Sequence, residues 1–192
     1  MNDLKLQIHL AAWIIQDGNY EEFKCNQKRN FALEFWALNH LECFASIDPV
    51  SYDNLSDSSL KVNAEVVVCT DNWHAIYFGV RAIREQPPPN EFAIGSRVRG
   101  TICLGVDPYF YKEYLHKDEL GRSMVYSWNI DRIQIETAPY IESFHPKKGK
   151  SLIRDPDLRG WKDICSTNAW TDDDGHAEYL LDVSLVDLEV LG

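Results

Sequence analysis

The sequence predicts a mainly β protein with minor α content, built as an antiparallel, partly closed, OB-like Greek-key barrel; a β-sandwich is the alternative. Three observations support this prediction. Several segments alternate apolar and polar residues with the period of two that is typical of half-buried strands. Turn-forming Asp, Asn, Gly and Pro residues separate these segments. No long helical pattern lies between them, which favours an antiparallel sheet of about seven strands.

The first two strands are predicted near the N-terminus. Segment 4–16 begins with strict alternation and ends before the turn signal Asp17-Gly18-Asn19. Segment 30–38 alternates again, and we expect it to pair back onto the first strand. The alternative is a helix over 32–44, because Ala, Leu and Glu favour helix.

The middle of the chain predicts curved strands. Segment 61–70 contains four valines within seven residues, and segment 73–84 is the expected returning strand. Gly79 within the returning strand indicates a bulge or a sharp bend. The next predicted strand, 94–106, contains Gly95, Gly100 and Gly105, and glycines at such spacing are typical of strongly curved barrel strands.

The last third contains two further predicted strands. Segment 124–137 changes the phase of its alternation, which predicts a bulge near Asp131. The final strand is 176–190, and Asp173-Asp174-Gly175 before it resembles a hairpin turn. A short helix is predicted over 109–117.

The length predicts one domain over residues 1–192. Within it, 138–163 is polar and basic and is predicted to be a long irregular loop.

Charge and cysteine content exclude several classes of protein. The formal net charge is −11, which makes nucleic acid an improbable partner because phosphate neutralisation needs excess Lys and Arg. The five cysteines are widely spaced and form no C-x-x-C pair, which disfavours a disulfide framework and a structural zinc site. Free thiols favour the reducing cytoplasm, and no apolar run is long enough for a membrane helix.

No motif in the sequence indicates catalysis. A G-x-S-x-G elbow, a phosphate-binding loop and a zinc-protease motif are all missing, and the six histidines are scattered singly. The run 172–176 (DDDGH) lacks the alternating ligands of a calcium loop, so we interpret it as a turn. We therefore predict no catalytic residues, no cofactor and no metal.

The charge distribution in the last third suggests a binding surface. Residues 171–190 carry seven negative charges and no Lys or Arg, whereas residues 145–162 carry six basic and two acidic side chains. A surface of carboxylates and aromatic anchors is suited to docking a basic protein. The alternative is that the two segments neutralise each other on a solvated face. The candidate partner-binding residues are Trp161, Trp170, Asp172, Asp173, Asp174 and Glu178.

These features predict a non-enzymatic, cytoplasmic interaction protein with an acidic docking surface. One version is an immunity or inhibitor protein that neutralises a basic toxin or enzyme. The alternative is an enzyme or small-molecule-binding protein that uses a pocket at the mouth of the barrel.

Overall fold

A computed structural model describes residues 4–45, 48–55, 58–108, 123–145 and 149–187. These residues form fourteen strands and the short helix α1 (Ala12–Gln16). The strands are β1 (Lys5–Ala11), β2 (Lys28–Phe31), β3 (Leu33–Ala37), β4 (Glu42–Cys43), β5 (Ser51–Asn54), β6 (Ser59–Cys69), β7 (His74–Tyr77), β8 (Arg81–Arg84), β9 (Arg97–Val106), β10 (Tyr126–Glu136), β11 (Tyr140–His145), β12 (Gly149–Arg154), β13 (Trp161–Ile164) and β14 (Glu178–Asp187). The predicted mainly β class is confirmed.

Five strands close into a barrel. β9 pairs with β3, β3 with β8, β8 with β7, β7 with β6, and β6 returns to β9. All of these pairs except β3–β8 are antiparallel, and alternate residues such as Val62, Ile76 and Ile102 point inwards and are buried. Gly79 bends the chain between β7 and β8 at φ +124°, in agreement with the predicted bend. The predicted barrel is confirmed, and its OB-like detail stays a prediction.

A second set of strands continues from the barrel. β9 also pairs in parallel with β1 at Gly105, and β14 and β10 follow, with β2 and β13 both on β10. The indole of Trp128 is fully buried here, stacks on Phe31 and donates to the Phe31 carbonyl at 3.2 Å. We call residues 33–106 the barrel unit, and residues 4–31 and 126–187 the extension. One apolar cluster includes residues from both.

The pairing predicted for segment 30–38 is wrong. The segment is extended, as predicted, but it forms two strands on either side of the buried Ala32. β2 pairs with β10, and β3 pairs with β8 and β9, so neither pairs with β1. The alternative helix over 32–44 is also wrong. Local alternation identified the strands but contains no information about their long-range partners.

Segment 138–163 is not the irregular loop that its composition predicted. β11 and β12 form an antiparallel hairpin with register Tyr140↔Arg154, and a 3₁₀ turn leads to the edge strand β13. Among the described residues this hairpin pairs only with itself. Its side chains are largely exposed, so the buried-versus-exposed alternation that marks a strand is weak.

Three smaller predictions have clear outcomes. The register of β10 against β14 shifts between Ile130 and Arg132, which confirms the predicted bulge. Asp173–Gly175 is not a hairpin turn, because the strands before and after it, β13 and β14, lie on opposite sides of β10. The strand at 4–16 ends at Ala11, where α1 begins. The helix predicted over 109–117 lies outside the described residues.

No helix in the described part of the chain is long and apolar enough to span a membrane.

Candidate functional site

The extension contains an open groove of about 590 Å³. Trp13 of α1 contributes to one wall, and Tyr140 and Leu152 of the β11–β12 hairpin contribute to another. The chain from Gly175 to Glu178 completes the lining as it enters β14. Three separate parts of the sequence therefore meet at this groove.

Hydrogen bonds hold α1 against the chain that precedes β14. The side-chain amide of Gln16 donates to the Ala169 carbonyl at 2.7 Å and to the Gly175 carbonyl at 2.8 Å. The backbone N–H of Ala12 donates to the Ala177 carbonyl at 2.9 Å. Because α1 satisfies the carbonyls of Ala169, Gly175 and Ala177, the helix and this stretch of chain form one fixed edge of the groove.

Asp172, Asp173, Asp174 and Gly175, which we call the acidic turn, have an unusual backbone. The last three residues lie in the left-handed region, with φ of 49°, 54° and 85°. Asp and Gly adopt this conformation more readily than other residues, so the sequence suits the turn.

Two of the three carboxylates in the acidic turn are used internally. Asp172 accepts hydrogen bonds from the Tyr179 hydroxyl at 2.9 Å and from the Asn168 N–H at 2.8 Å. Asp173 accepts from the Tyr140 hydroxyl at 2.9 Å and forms an ion pair with Arg154. These two aspartates hold the turn and the hairpin in place.

The Arg154 guanidinium is the main link between the hairpin and the acidic turn. Besides binding Asp173, it donates to the Ala138 carbonyl at 2.7 Å and lies 4.3 Å from the centre of the Tyr140 ring. This contact joins the basic and acidic segments of the last third. The alternative prediction, in which the basic and acidic segments neutralise each other, therefore applies to Arg154 and Asp173.

Burial and neighbouring carboxylates keep two tyrosines protonated. Burial first, and then the hydrogen bond to Asp172, raise the pKa of Tyr179 well above its usual value. Burial, followed by the hydrogen bond to Asp173, also raises the pKa of Tyr140. Both hydroxyls therefore act as hydrogen-bond donors to the acidic turn across the physiological pH range.

The remaining candidate residues differ in exposure and in whether they have hydrogen-bond or ion-pair partners. Asp174 is exposed and has no hydrogen-bond or ion-pair partner among the described residues. Trp170, beside the turn, is 67% exposed. Glu178 lies at the groove and contacts the imidazole of His9 at 2.9 Å. Of the predicted residues, Asp174 thus presents an unpaired carboxylate to solvent, and Trp170 presents an exposed indole ring.

Trp161 lies apart from this arrangement. It begins the edge strand β13, is half-buried, and does not line the groove. The Arg159 guanidinium lies 5.3 Å from the centre of its ring. Of the predicted residues, Glu178 lines the groove, Asp172–Asp174 and Trp170 lie in the chain just before the lining residue Gly175, and Trp161 lies on a strand edge.

Sequence reasoning missed the walls of the groove. Trp13, Tyr140 and Leu152 are 45%, 42% and 67% exposed although they are large and apolar or aromatic. Trp13 follows a strand pattern and was assigned to that strand, and the other two lie in the segment interpreted as a loop. Apolar residues at 141, 144, 152 and 153 lack the period of two of a half-buried strand, so the sequence carried little signal for the hairpin.

No group of three or more His, Cys, Asp or Glu side chains in the described ranges is placed to hold a metal ion. Comparison with protein-family models, with curated protein sequences and with solved structures finds no match to this chain.

Proposed function

We propose that this chain is a non-enzymatic, cytoplasmic interaction protein that docks a basic protein in the groove of the extension. An immunity or inhibitor protein that neutralises a basic toxin or enzyme is the version that this arrangement fits best. The partner would place apolar side chains between Trp13 and the hairpin and basic side chains against the carboxylates beside them.

The observation that carries the proposal is the distribution of exposed apolar side chains. Eleven large apolar or aromatic residues are exposed in the described part of the chain, and eight of them belong to the extension. These eight are Trp13, Tyr140, Ile141, Phe144, Leu152, Ile153, Leu158 and Trp170. Concentrated exposure of this kind is typical of a protein–protein binding surface.

Charge supports a basic occupant. Two groove-lining residues, Gln16 and Gly175, each have an aspartate beside them in the sequence: Asp17 follows Gln16 and Asp174 precedes Gly175. Both carboxylates are exposed and unpaired among the described residues. The net charge of the chain is −11, so long-range attraction also favours a cationic protein.

Thiol chemistry supports the compartment. All five cysteines are free thiols, and Cys43 and Cys165 are exposed. Exposed thiols persist in the reducing cytoplasm, whereas an oxidising compartment promotes their pairing.

Affinity capture from a lysate of the native host tests the proposal. The intact chain is immobilised in four forms: wild type, Trp13→Ala, Asp174→Lys and the control Asp71→Lys. Asp71 is an exposed carboxylate in the turn between β6 and β7, so reversing it changes the net charge by the same amount at a different place.

We expect wild type and Asp71→Lys to retain the same basic protein at low salt, and Trp13→Ala and Asp174→Lys to retain at least tenfold less, since central interface residues contribute about 2 kcal/mol or more. Equal capture by all four forms would place the binding surface elsewhere. Capture of no basic protein at low salt would contradict the proposed partner class.

A further inference from the structure

A second cavity, of about 280 Å³, lies at one end of the barrel. β3 and β8 are parallel and end there, and β7, antiparallel to β8, begins there. Ala37, Arg84 and His74, at these strand ends, line the cavity together with Pro87, Pro89 and Phe92 of the following loop. Asn39, His40, Leu41 and Gln86 also contribute to the lining. The cavity is therefore the mouth of the closed barrel, and it shares no lining residue with the groove of the extension.

His74 is a buried polar group with one nitrogen unused. Its side chain belongs to a residue that is only 3% exposed, between Phe35 and Phe92, whose rings both lie edge-on at 5.6 Å. Nδ1 lies 3.0 Å from the Gln86 carbonyl, so it carries the proton and donates. Nε2 has no hydrogen-bond partner among the described residues and is left as an acceptor in the cavity wall.

The imidazole is held in its neutral form. Burial lowers the pKa of His74, the hydrogen bond to Gln86 partly opposes that effect, and the positive charge of Arg84 lowers the pKa further. A neutral imidazole with Nδ1 protonated accepts a hydrogen bond at Nε2. Because His74 lines the cavity, a ligand hydroxyl that enters it can donate to this acceptor.

Arg84 supplies a positive charge beside His74. Its Nε donates to the side-chain carbonyl of Gln86 at 3.0 Å, and its guanidinium forms no ion pair with a described carboxylate. The Glu91 carboxylate does not line the cavity and lies 3.4 Å from Nε2 of the lining residue His40. An uncompensated guanidinium at a cavity is suited to a ligand carboxylate, which it can bind through two parallel N–H groups.

One wall of the cavity is apolar and stiff. Pro87, Pro88 and Pro89 restrict the loop, and Phe92 is buried between this loop and His74. The cavity volume is close to the lower limit for small-molecule sites.

We propose that the barrel mouth binds a small hydroxy acid, whose carboxylate pairs with Arg84 and whose hydroxyl donates to Nε2 of His74. The apolar part of the acid packs against the proline loop and Phe92. This is a binding site separate from the partner groove and does not depend on it.

Binding of four acids to the intact protein tests this assignment. Lactate and mandelate carry the hydroxyl, whereas propionate and phenylacetate are their matched acids without it. Affinity is measured by calorimetry, and the ring-nitrogen chemical shifts of His74 are recorded by NMR of ¹⁵N-labelled wild-type protein. The shift of Nε2 reports a hydrogen bond to that atom even where a histidine variant fails to fold.

The variants are His74→Asn, Arg84→Gln and the control Arg99→Gln. Asn places its amide nitrogen where Nδ1 donates to Gln86 but has no counterpart of Nε2. Arg99 is exposed on β9, pairs with Glu42 and does not line the cavity.

We expect at least one hydroxy acid to bind about tenfold or more tightly than its matched acid and to move the Nε2 signal. Arg84→Gln and His74→Asn should each reduce that affinity about tenfold, and Arg99→Gln should leave it unchanged. The assignment is overturned if none of the four acids moves the Nε2 signal, if the matched acids bind equally well, or if Arg84→Gln binds as wild type does.

Discussion

The barrel unit and the extension differ in how the edges of their strands are paired. In the barrel every one of β3, β6, β7, β8 and β9 has a neighbour on both sides. In the extension the β11–β12 hairpin pairs only with itself among the described residues, and it leaves Phe144 and Leu152 72% and 67% exposed. A closed ring gains little from a further chain, whereas an exposed apolar hairpin gains buried area from one. This difference supports the proposal that the extension carries the surface for a partner.

The two regions also treat charge differently. In the barrel unit, Glu34 of β3 lies opposite Gly105 of β9 and has no ion pair among the described residues, whereas the exposed Glu42 pairs with Arg99. In the extension, Asp173 pairs with Arg154, Asp172 accepts hydrogen bonds from Tyr179 and Asn168, and Asp174 is exposed. A charge that is held by other groups, such as Glu34 or Arg154, should therefore affect stability, whereas an exposed unpaired charge such as Asp174 should affect binding.

The largest expected effect comes from truncating a buried apolar side chain of the barrel, and an exposed apolar side chain of the hairpin provides the comparison. Ile102→Ala removes a fully buried side chain inside the barrel and should lower the free energy of unfolding by about 2–5 kcal/mol. Leu152→Ala removes an exposed one and should change it by about 0.5 kcal/mol or less. Urea unfolding followed by fluorescence measures both. Similar losses for the two variants would show that the hairpin is part of the core.

Glu34→Gln tests the cost of a half-buried carboxylate in the barrel unit. Burial, Asp107 and Glu85, in that order, raise the pKa of Glu34 from 4.5 to about 7. The folded state therefore binds this proton more tightly than the unfolded state, and stability falls as the pH rises from about 4.5 to 7. Glu34→Gln should match wild type at about pH 4 and be about 3 kcal/mol more stable at about pH 8.

Unfolding free energies across that pH range decide the Glu34 prediction. Asp174→Asn, an exposed carboxylate of the extension, is the matched control and should give a constant difference over the same range. A stability difference for Glu34→Gln that does not change between about pH 4 and 8 would contradict the raised pKa.

Arg154→Met tests how the hairpin is held. It removes the ion pair with Asp173 and the hydrogen bond to the Ala138 carbonyl and should cost about 1–2 kcal/mol, because both charged groups are partly buried. Hydrogen exchange of the β11 and β12 amides should accelerate while that of β6 and β9 stays unchanged. Lys150→Met, which breaks an exposed pair with Glu142, is the control and should leave exchange as it is.

The smallest expected effect on stability is at the proposed partner surface. Asp174→Lys should lower the free energy of unfolding by about 0.5–1 kcal/mol, because the carboxylate is exposed and unpaired among the described residues and the main cost is placing Lys at a left-handed φ of 54°. Thermal unfolding of the variant beside Asp71→Lys measures this. A large loss in Asp174→Lys alone would mean that the carboxylate supports the acidic turn, and its loss of binding would then need another explanation.

Local pattern predicted the strands better than their partners. The valine-rich segment 61–70 and the bulge near Asp131 follow from period-two alternation, which depends on neighbouring residues only. The pairing of β2 with β10 and of β3 with β9 depends on contacts about seventy or more residues away, and alternation does not encode them.

The acidic half of the candidate site was predictable from composition, and its apolar half was not. The run Asp172–Asp174 is visible as charge. The contribution of Trp13 depends on α1 interrupting the first strand at Ala12, and that of Tyr140 depends on a hairpin whose exposed faces weaken the strand pattern. The internal use of Asp172 and Asp173 required knowledge of Tyr179, Tyr140 and Arg154 as donors.

The most direct test of the central claim is the hydrogen-exchange footprint of the captured basic partner on the intact protein. The account predicts that binding slows exchange in α1, in the β11–β12 hairpin and in residues 170–178, and leaves β6 to β8 of the barrel unchanged. Protection confined to the barrel, or spread equally over both regions, would contradict the assignment of the extension as the partner surface.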